Sequence, residues 1–167
     1  MTMEFGSLGD LAAHMLSDTV AELRHVQRGL EVSAVIIEKT AKGEIGEYQD
    51  AVGPFQDWAP LADSTEAEKA RLGYPVDAPL LRTGDMRDCI KHEVGEFEAT
   101  IGSTDPKMVY HEFGTTKMPP RPVIGPALFR NLERVQELIG NAAVSGFVGG
   151  DPIHPSLGYE IEGLPQK

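Results

Sequence analysis

The sequence SLGDLAAHMLSDTVAELRHVQRGLEVSAVIIEKTAK, residues 7–42, decides the fold because it predicts one long amphipathic helix. Apolar or small side chains recur in steps of three and four, which is the spacing of one helix face. These positions are Leu8, Ala12, Met15, Thr19, Leu23, Val26, Leu30, Ala34, Ile37 and Ala41. Such a helix would be roughly 50 Å long, and so long an amphipathic helix usually packs on a sheet or on a neighbouring subunit.

The ends of this helix carry local signals. Ser7 followed by Asp10 is typical of a capped start, and Lys42 followed by Gly43 is typical of a stop. Gly29, near the middle, is a position where the helix could bend or break, because glycine is a poor helix former.

Residues 43–83 are punctuated by glycine and proline and predict a mostly irregular segment. A short helix is expected at residues 64–72, where Ser64 can serve as the cap and acidic side chains follow in the first turn. So long a loop in a small domain usually serves function or interaction.

Residues 86–102 predict a β-hairpin around Gly95. In its second arm Phe97, Ala99 and Ile101 alternate with polar residues, which is the pattern of a half-buried strand. The first arm, MRDCIKHEV (86–94), does not alternate cleanly and fits either a strand or a helix.

Two helical segments are expected in the last third of the chain. A helical turn from Asp105-Pro106 to Phe113 should end at Gly114, and a second long helix should run from Pro126 to about Ser145. One apolar face of the latter helix consists of Leu128, Leu132, Val135, Leu138, Ile139 and Ala142.

The order of these elements predicts the α+β class, with a small antiparallel sheet flanked by a long N-terminal helix and a C-terminal helix. We expect one domain at residues 1–146. Residues 147–167 are rich in glycine and proline and predict an extended C-terminal arm that orders only when it docks.

Composition excludes several classes of protein. The 167 residues carry a formal net charge of −11, which argues against gripping nucleic acid by its phosphates. Such a charge usually serves solubility, and it is also compatible with a protein past which DNA slides. The single cysteine, Cys89, excludes an intrachain disulfide and suits a reducing compartment. No apolar run predicts a membrane span, and the first ten residues lack the features of a secretory signal.

No motif for catalysis or for a cofactor stands out. HEVGE (92–96) and HEFGT (111–115) begin like a zinc-protease motif but lack the second histidine, and no phosphate loop or serine elbow is present. We expect Cys89 to be a small buried hydrophobe rather than a nucleophile. A hydrolase with a carboxylate site around Asp85, Asp88 and His92 is the alternative from another functional class, and a bacterial regulator or small binding module is a further one.

Three features indicate structural roles. Trp58, the only tryptophan, is either a core anchor or an interface anchor. Tyr110 and Phe113 share a helix face, for which burial in the core is the default. Arg121 stands between two prolines that stiffen its backbone, so its guanidinium either crosses an interface or braces a loop of its own chain.

Five segments in fixed order carry a resemblance to a known family. They are WAPLADST (58–65), LLRTGDMR (80–87), IGS (101–103), VYHEFGT (109–115) and MPPRPVIGPAL (118–128). Together they resemble the tail-completion, or virion-morphogenesis, proteins of tailed phages, over about residues 55–130. The first helix fits the layout of that family, whereas the arm after residue 146 goes beyond a typical member.

The resemblance implies a structural virion protein without enzymatic activity or cofactor. Such a protein forms a ring of six or twelve copies at the phage neck, surrounds the DNA channel, and contacts a portal-side connector or head-closure protein and a tail-tube or terminator protein. It would reside at the head–tail junction of the virion, and in the host cytoplasm during assembly. A tail terminator that caps the tail tube is the alternative within this class.

The resemblance also implies which residues serve as framework or interface positions. These are Trp58, Leu61, Thr83, Gly84, Tyr110, Phe113, Gly114, Pro120, Arg121 and Pro122.

Overall fold

A computed structural model describes residues 6–148 of the protein. The helices are α1 (Leu8–Glu44), α2 (Asp63–Leu72), α3 (Asp85–Asp88), α4 (Lys107–Phe113), α5 (Ile124–Arg130) and α6 (Leu132–Val148). Strands β1 (Ile90–Val94) and β2 (Ala99–Ser103) pair in an antiparallel hairpin, in which Val94 faces Ala99 and Ile90 faces Ser103. The predicted α+β class is therefore confirmed. The predicted arm lies outside the described residues, apart from its first two, which end α6.

Helix α1 begins as predicted, because the Ser7 side chain accepts a hydrogen bond from the Asp10 N–H at 3.1 Å. It continues to Glu44, past the expected stop at Gly43, and it is not interrupted at Gly29. Of the predicted apolar face, Ala34, Ile37 and Ala41 are buried, whereas Leu8 and Ala12 are exposed. The side chains of Met15 and Thr19 lie outside what the structure describes. The described core thus rests on the C-terminal half of α1.

A hydrophobic core joins α1 to the hairpin and to the last third of the chain. Its buried members are Ile37, Ala41, Ile45, Trp58, Ile90, Met108, Val123 and Ala127. Full burial of an aliphatic side chain contributes about 1.5–3 kcal/mol, so this cluster is a major source of stability.

The predicted hairpin forms, with one correction in its second arm. Phe97 belongs to the connection between the strands rather than to β2, and its ring is exposed. The Gly95 N–H donates to the Glu98 carbonyl at 2.8 Å, which closes the turn before Phe97 can pair. The ambiguous first arm contains both structures, since the helical turn α3 precedes β1. Cys89, between them, is half-buried rather than fully buried.

The second long helix is two helices. Helix α5 begins two residues before Pro126, and the chain leaves helical geometry at Asn131, whose side chain donates to Thr40 Oγ1 at 2.9 Å and to the Ala127 carbonyl. Leu128 and Leu132 are therefore exposed, contrary to the predicted apolar face, while Leu138 and Ala142 are buried. The break changes the direction in which each helix presents its apolar side.

The loop after α1 is attached to α5 by two reciprocal contacts. The rings of Phe55 and Phe129 pack edge to face, with centroids 6.2 Å apart. A Cβ on Gly53 would lie 2.2 Å from the Phe129 ring, and a Cβ on Gly125 would lie 2.5 Å from the Phe55 ring. Each phenylalanine thus occupies the space that a side chain at the opposite glycine would fill.

The close contact between α1 and α6 gives a first prediction. A Cβ on Gly29 would lie 2.9 Å from the Ala142 Cβ, so Gly29→Val should force the helices apart and lower the free energy of unfolding by about 2 kcal/mol. Gly140→Val is the matched control, since nothing lies within 4 Å of a Cβ there, and it should stay within about 0.5 kcal/mol. Urea titration measures both, and equal effects would contradict the contact.

Candidate functional site

Arg121 connects three of the five segments of the resemblance. Its backbone N–H donates to the His111 carbonyl at 2.7 Å, and its guanidinium donates to the carbonyl oxygens of Ala59 (2.9 and 3.3 Å) and Pro60 (3.0 Å). The side chain is only 5% exposed. Of the two readings of this arginine, the structure therefore favours the brace within its own chain.

Trp58 extends this arrangement into the core. The residue is 4% exposed, and its indole N–H donates to the carbonyl of Pro122 at 3.1 Å. Trp58 is therefore a core anchor in the chain. The two prolines have a physical role here: they hold residues 120–122 extended, so that Arg121 and the Pro122 carbonyl both meet the segment around Trp58.

Glu112 is a structural residue that the sequence interpretation missed. Its carboxylate oxygen Oε1 accepts hydrogen bonds from the backbone N–H groups of Val123 (2.9 Å) and Ile124 (2.8 Å). These groups lie at the start of α5, where helix N–H groups lack partners within the helix. A carboxylate eleven residues away supplies this cap, and no local capping pattern could have revealed it.

The aromatic residues of α4 do not lie in the core. Tyr110 is 58% exposed and Phe113 is 82% exposed, so the default of burial is wrong for both. Met108 is the buried residue of this short helix. An apolar surface therefore remains on α4, and Val109 adds to it.

Gly114 ends α4 as predicted, with a φ of 72° in the region that favours glycine. A Cβ there would lie 2.9 Å from the Pro120 nitrogen. The following Thr115 and Met118 then form a narrow turn through paired backbone hydrogen bonds of 2.8 and 3.2 Å. Gly114 thus allows the chain to double back and deliver Pro120 and Arg121 next to α4.

Leu61, Thr83 and Gly84 line a groove in front of this junction. The groove has a volume of about 670 Å³. Gly84 has a φ of 97° and precedes α3, where the Thr83 hydroxyl hydrogen-bonds the Asp85 carboxylate at 2.7 Å. The Leu61 N–H donates to the Tyr48 hydroxyl at 3.1 Å.

This basic groove, as we call it, combines positive charge with apolar surface. Its cationic side chains are Lys69, Arg82, Lys107, Lys117 and Arg121, and its acidic ones are Asp85 and Asp105. Its larger apolar side chains are Leu61, Leu80, Met86 and Met118. A concentration of positive charge is unexpected in a chain of net charge −11, and it marks the groove as a candidate binding site.

Two of these cations, Lys69 and Arg121, are buried and make no close ion pair with a carboxylate among the described side chains. Lys69 is 2% exposed, and its ammonium donates to the Ala78 carbonyl. Burial, and then the nearby Arg82, lower the pKa of Lys69, and burial also lowers the pKa of Arg121. Among the side chains that the structure describes, no carboxylate lies within 4.0 Å of either cation. Asp77 and Glu66 oppose the shift of Lys69 in part, and the remaining positive potential of the two cations favours an anion in the groove.

His111 also lines the basic groove. Its Nδ1 is buried and has no hydrogen-bond partner among the described residues. Burial and the neighbouring Arg121 lower the pKa of His111, so its ring is neutral at neutral pH. The ring therefore offers a polar atom without a partner, and buried polar atoms usually have one.

The residues of the hydrolase alternative have separate partners. His92 is held by Glu38 and by Glu31 (3.2 Å) of α1; these hydrogen bonds outweigh burial and raise its pKa. Asp85 bonds Thr83, whereas Asp88 pairs with Arg87 at 3.2 Å. The part of the chain that the structure describes contains no group of three histidine, cysteine or acidic residues placed to hold a metal ion.

No described helix is long and apolar enough to cross a membrane.

Comparison of the chain with protein-family models, curated proteins and solved structures finds no match. The candidate site therefore rests on the geometry of the described residues.

Proposed function

We propose that the chain is a structural protein of the neck of a tailed phage, where it forms a ring that joins head to tail around the DNA channel. The observation that carries the proposal is that segments of the resemblance are bonded neighbours in the fold. Arg121 links the segments at 58–65, 109–115 and 118–128, and Glu112 links the last two a second time.

The surfaces left by this junction suit assembly. The framework residues Trp58 and Arg121 are buried, whereas Tyr110 and Phe113 of α4 are exposed. Exposed neighbouring aromatic residues are typical of protein–protein contacts, because they bury a large apolar area on association. A ring uses such a patch against a different patch on the next subunit, which closes by rotation.

The function has a direct genetic test. Deletion of the gene from a phage that carries it should yield filled heads and finished tails that do not join, as seen by electron microscopy, with infectivity lost. Infectious particles with joined heads and tails would overturn the proposal. Abnormally long or uncapped tails would instead assign the chain to the tail-terminator position.

The aromatic surface on α4 gives a second prediction. The double variant Tyr110→Ser/Phe113→Ser should keep its stability to within about 0.5 kcal/mol per exposed site, yet fail to form rings in sedimentation or to complement the deletion. Phe97→Ser, at the exposed hairpin turn, is the matched control and should assemble normally. Normal assembly of the double variant would remove α4 from the interface.

A further inference from the structure

We propose that the basic groove binds the acidic segment YEIEGL, residues 159–164, of a second copy of the chain. The groove is lined by five cations and two carboxylates; Arg82 is paired with Glu68 at 3.2 Å, and Lys107 and Lys117 are exposed at the rim. Glu160 and Glu162 of the segment would pair with these two rim lysines, while the buried Lys69 and Arg121 add positive potential behind them. The contact would join copies of the chain to one another, and this inference does not depend on the proposed role in a phage neck.

The composition of the segment matches the groove beyond its charge. Acidic side chains at positions 160 and 162 alternate with Tyr159 and Ile161. In an extended chain successive side chains point to opposite sides, so the carboxylates share one side and the apolar groups share the other. The groove offers the same two kinds of surface, with Leu61, Leu80 and Met118 beside the cations.

A peptide fits the observations better than nucleic acid does. The groove is a pocket of about 670 Å³, and the chain around it carries a net charge of −11. That charge repels a polyanion at long range, whereas a short peptide carries few charges. The apolar side chains of the groove would also contribute to binding a peptide, whereas they would not contribute to binding a phosphate backbone.

The geometry favours a second copy as the source of the segment. Helix α6 runs antiparallel to α1, since Asn131 contacts Thr40 and Ala142 contacts Gly29. Val148 therefore lies about 30 Å along α1 from Glu44. Just past Glu44, the Gly46 N–H donates to the carbonyl of Pro79, which precedes the groove residue Leu80. Residues 149–160 would span at most roughly 40 Å, and a flexible chain of that length typically spans about 20 Å, so the segment of the same chain would reach the groove only when stretched well beyond its typical length.

The first experiment measures binding of the segment. A fluorescent peptide of residues 155–166 is titrated against the full chain carrying Glu160→Gln/Glu162→Gln, whose own segment no longer competes. We expect saturable binding that is about tenfold weaker when Lys107→Glu/Lys117→Glu is added at the exposed rim. Lys39→Glu/Lys91→Glu, at exposed sites outside the groove lining, is the charge-matched control and should leave binding unchanged.

Charge reversal separates a true contact from damage to the fold. A peptide with Glu160→Lys/Glu162→Lys should bind the Lys107→Glu/Lys117→Glu groove better than the natural peptide does. No binding of the natural peptide, equal loss in the control, or tighter groove binding by a short single-stranded DNA would overturn the proposal.

A mixing experiment tests the second copy. By sedimentation velocity, the groove variant and the segment variant should each be monomeric, and their mixture should form a dimer, because one intact groove meets one intact segment. If the mixture stays monomeric while the peptide binds, the segment binds within its own chain and the proposed exchange between copies is wrong. Either result leaves the genetic test of the neck function unaffected.

Discussion

Arg121→Ala is expected to lower the free energy of unfolding by about 3 kcal/mol, because it removes three hydrogen bonds and leaves carbonyl groups of residues 59 and 60 without partners. For a chain of this length the melting temperature should fall by roughly 6–12 °C. Thermal and urea unfolding of the purified chain measure the effect, and assembly should fail only in proportion to the loss of folded protein.

Two further variants separate the causes of this loss. Arg121→Met keeps most of the buried volume and removes the charge, so it should lower the free energy of unfolding less than Arg121→Ala does. Arg121→Lys keeps the charge without the planar fork that reaches two carbonyl oxygens, so it should not restore stability. Wild-type stability of Arg121→Ala together with lost assembly would instead place the arginine at an interface.

The long helix and the hairpin could be predicted because their signals are local. The apolar spacing of three and four residues before Gly43 predicts a helix over the same residues, and the Ser7 cap bonds a backbone N–H only three residues away. The proline-flanked Arg121 was likewise recognisable, since proline restricts its own backbone and that of its predecessor. The contacts of Arg121 could not be predicted from the sequence, because its acceptors lie about sixty residues away in the chain.

The missed features depend on tertiary structure in the same way. Tyr110 and Phe113 share a helix face, but spacing does not reveal whether that face meets the core, and in the chain Met108 does so instead. Glu112 caps a helix eleven residues away, and Lys69 reaches the groove from α2. The burial of a charge is set by how the segments pack, which a linear pattern does not encode.

Glu44 gives the second large effect, which is a dependence of stability on pH. The residue is 4% exposed, and burial raises the pKa of its carboxyl from the ordinary 4.5 to about 7; Arg130 opposes this shift and Glu112 adds to it. Arg130 Nε lies 3.2 Å from Oε1, but at an angle that makes no hydrogen bond, so neither carboxylate oxygen has such a partner in the described structure. The ion pair therefore offsets burial only in part.

The raised pKa fixes the direction of the effect. Between pH 4.5 and about 7 the folded chain holds a proton on Glu44 that the unfolded chain has released, so the contribution of Glu44 to stability is largest below pH 4.5 and is lost as the pH rises to about 7. A shift of this size corresponds to at most about 3 kcal/mol.

Glu44→Gln, which carries no titrating group, should raise the free energy of unfolding by roughly 1–3 kcal/mol at pH 8 and much less at pH 5. Urea titrations at pH 5, 6, 7 and 8 measure the difference between the variant and the wild type. The exposed Glu47→Gln is the matched control for the loss of one negative charge, and it should change the free energy of unfolding by no more than about 0.5 kcal/mol at each pH. A Glu44→Gln difference that is equally flat would show that Arg130 holds the carboxylate ionised, and that burial does not control its charge.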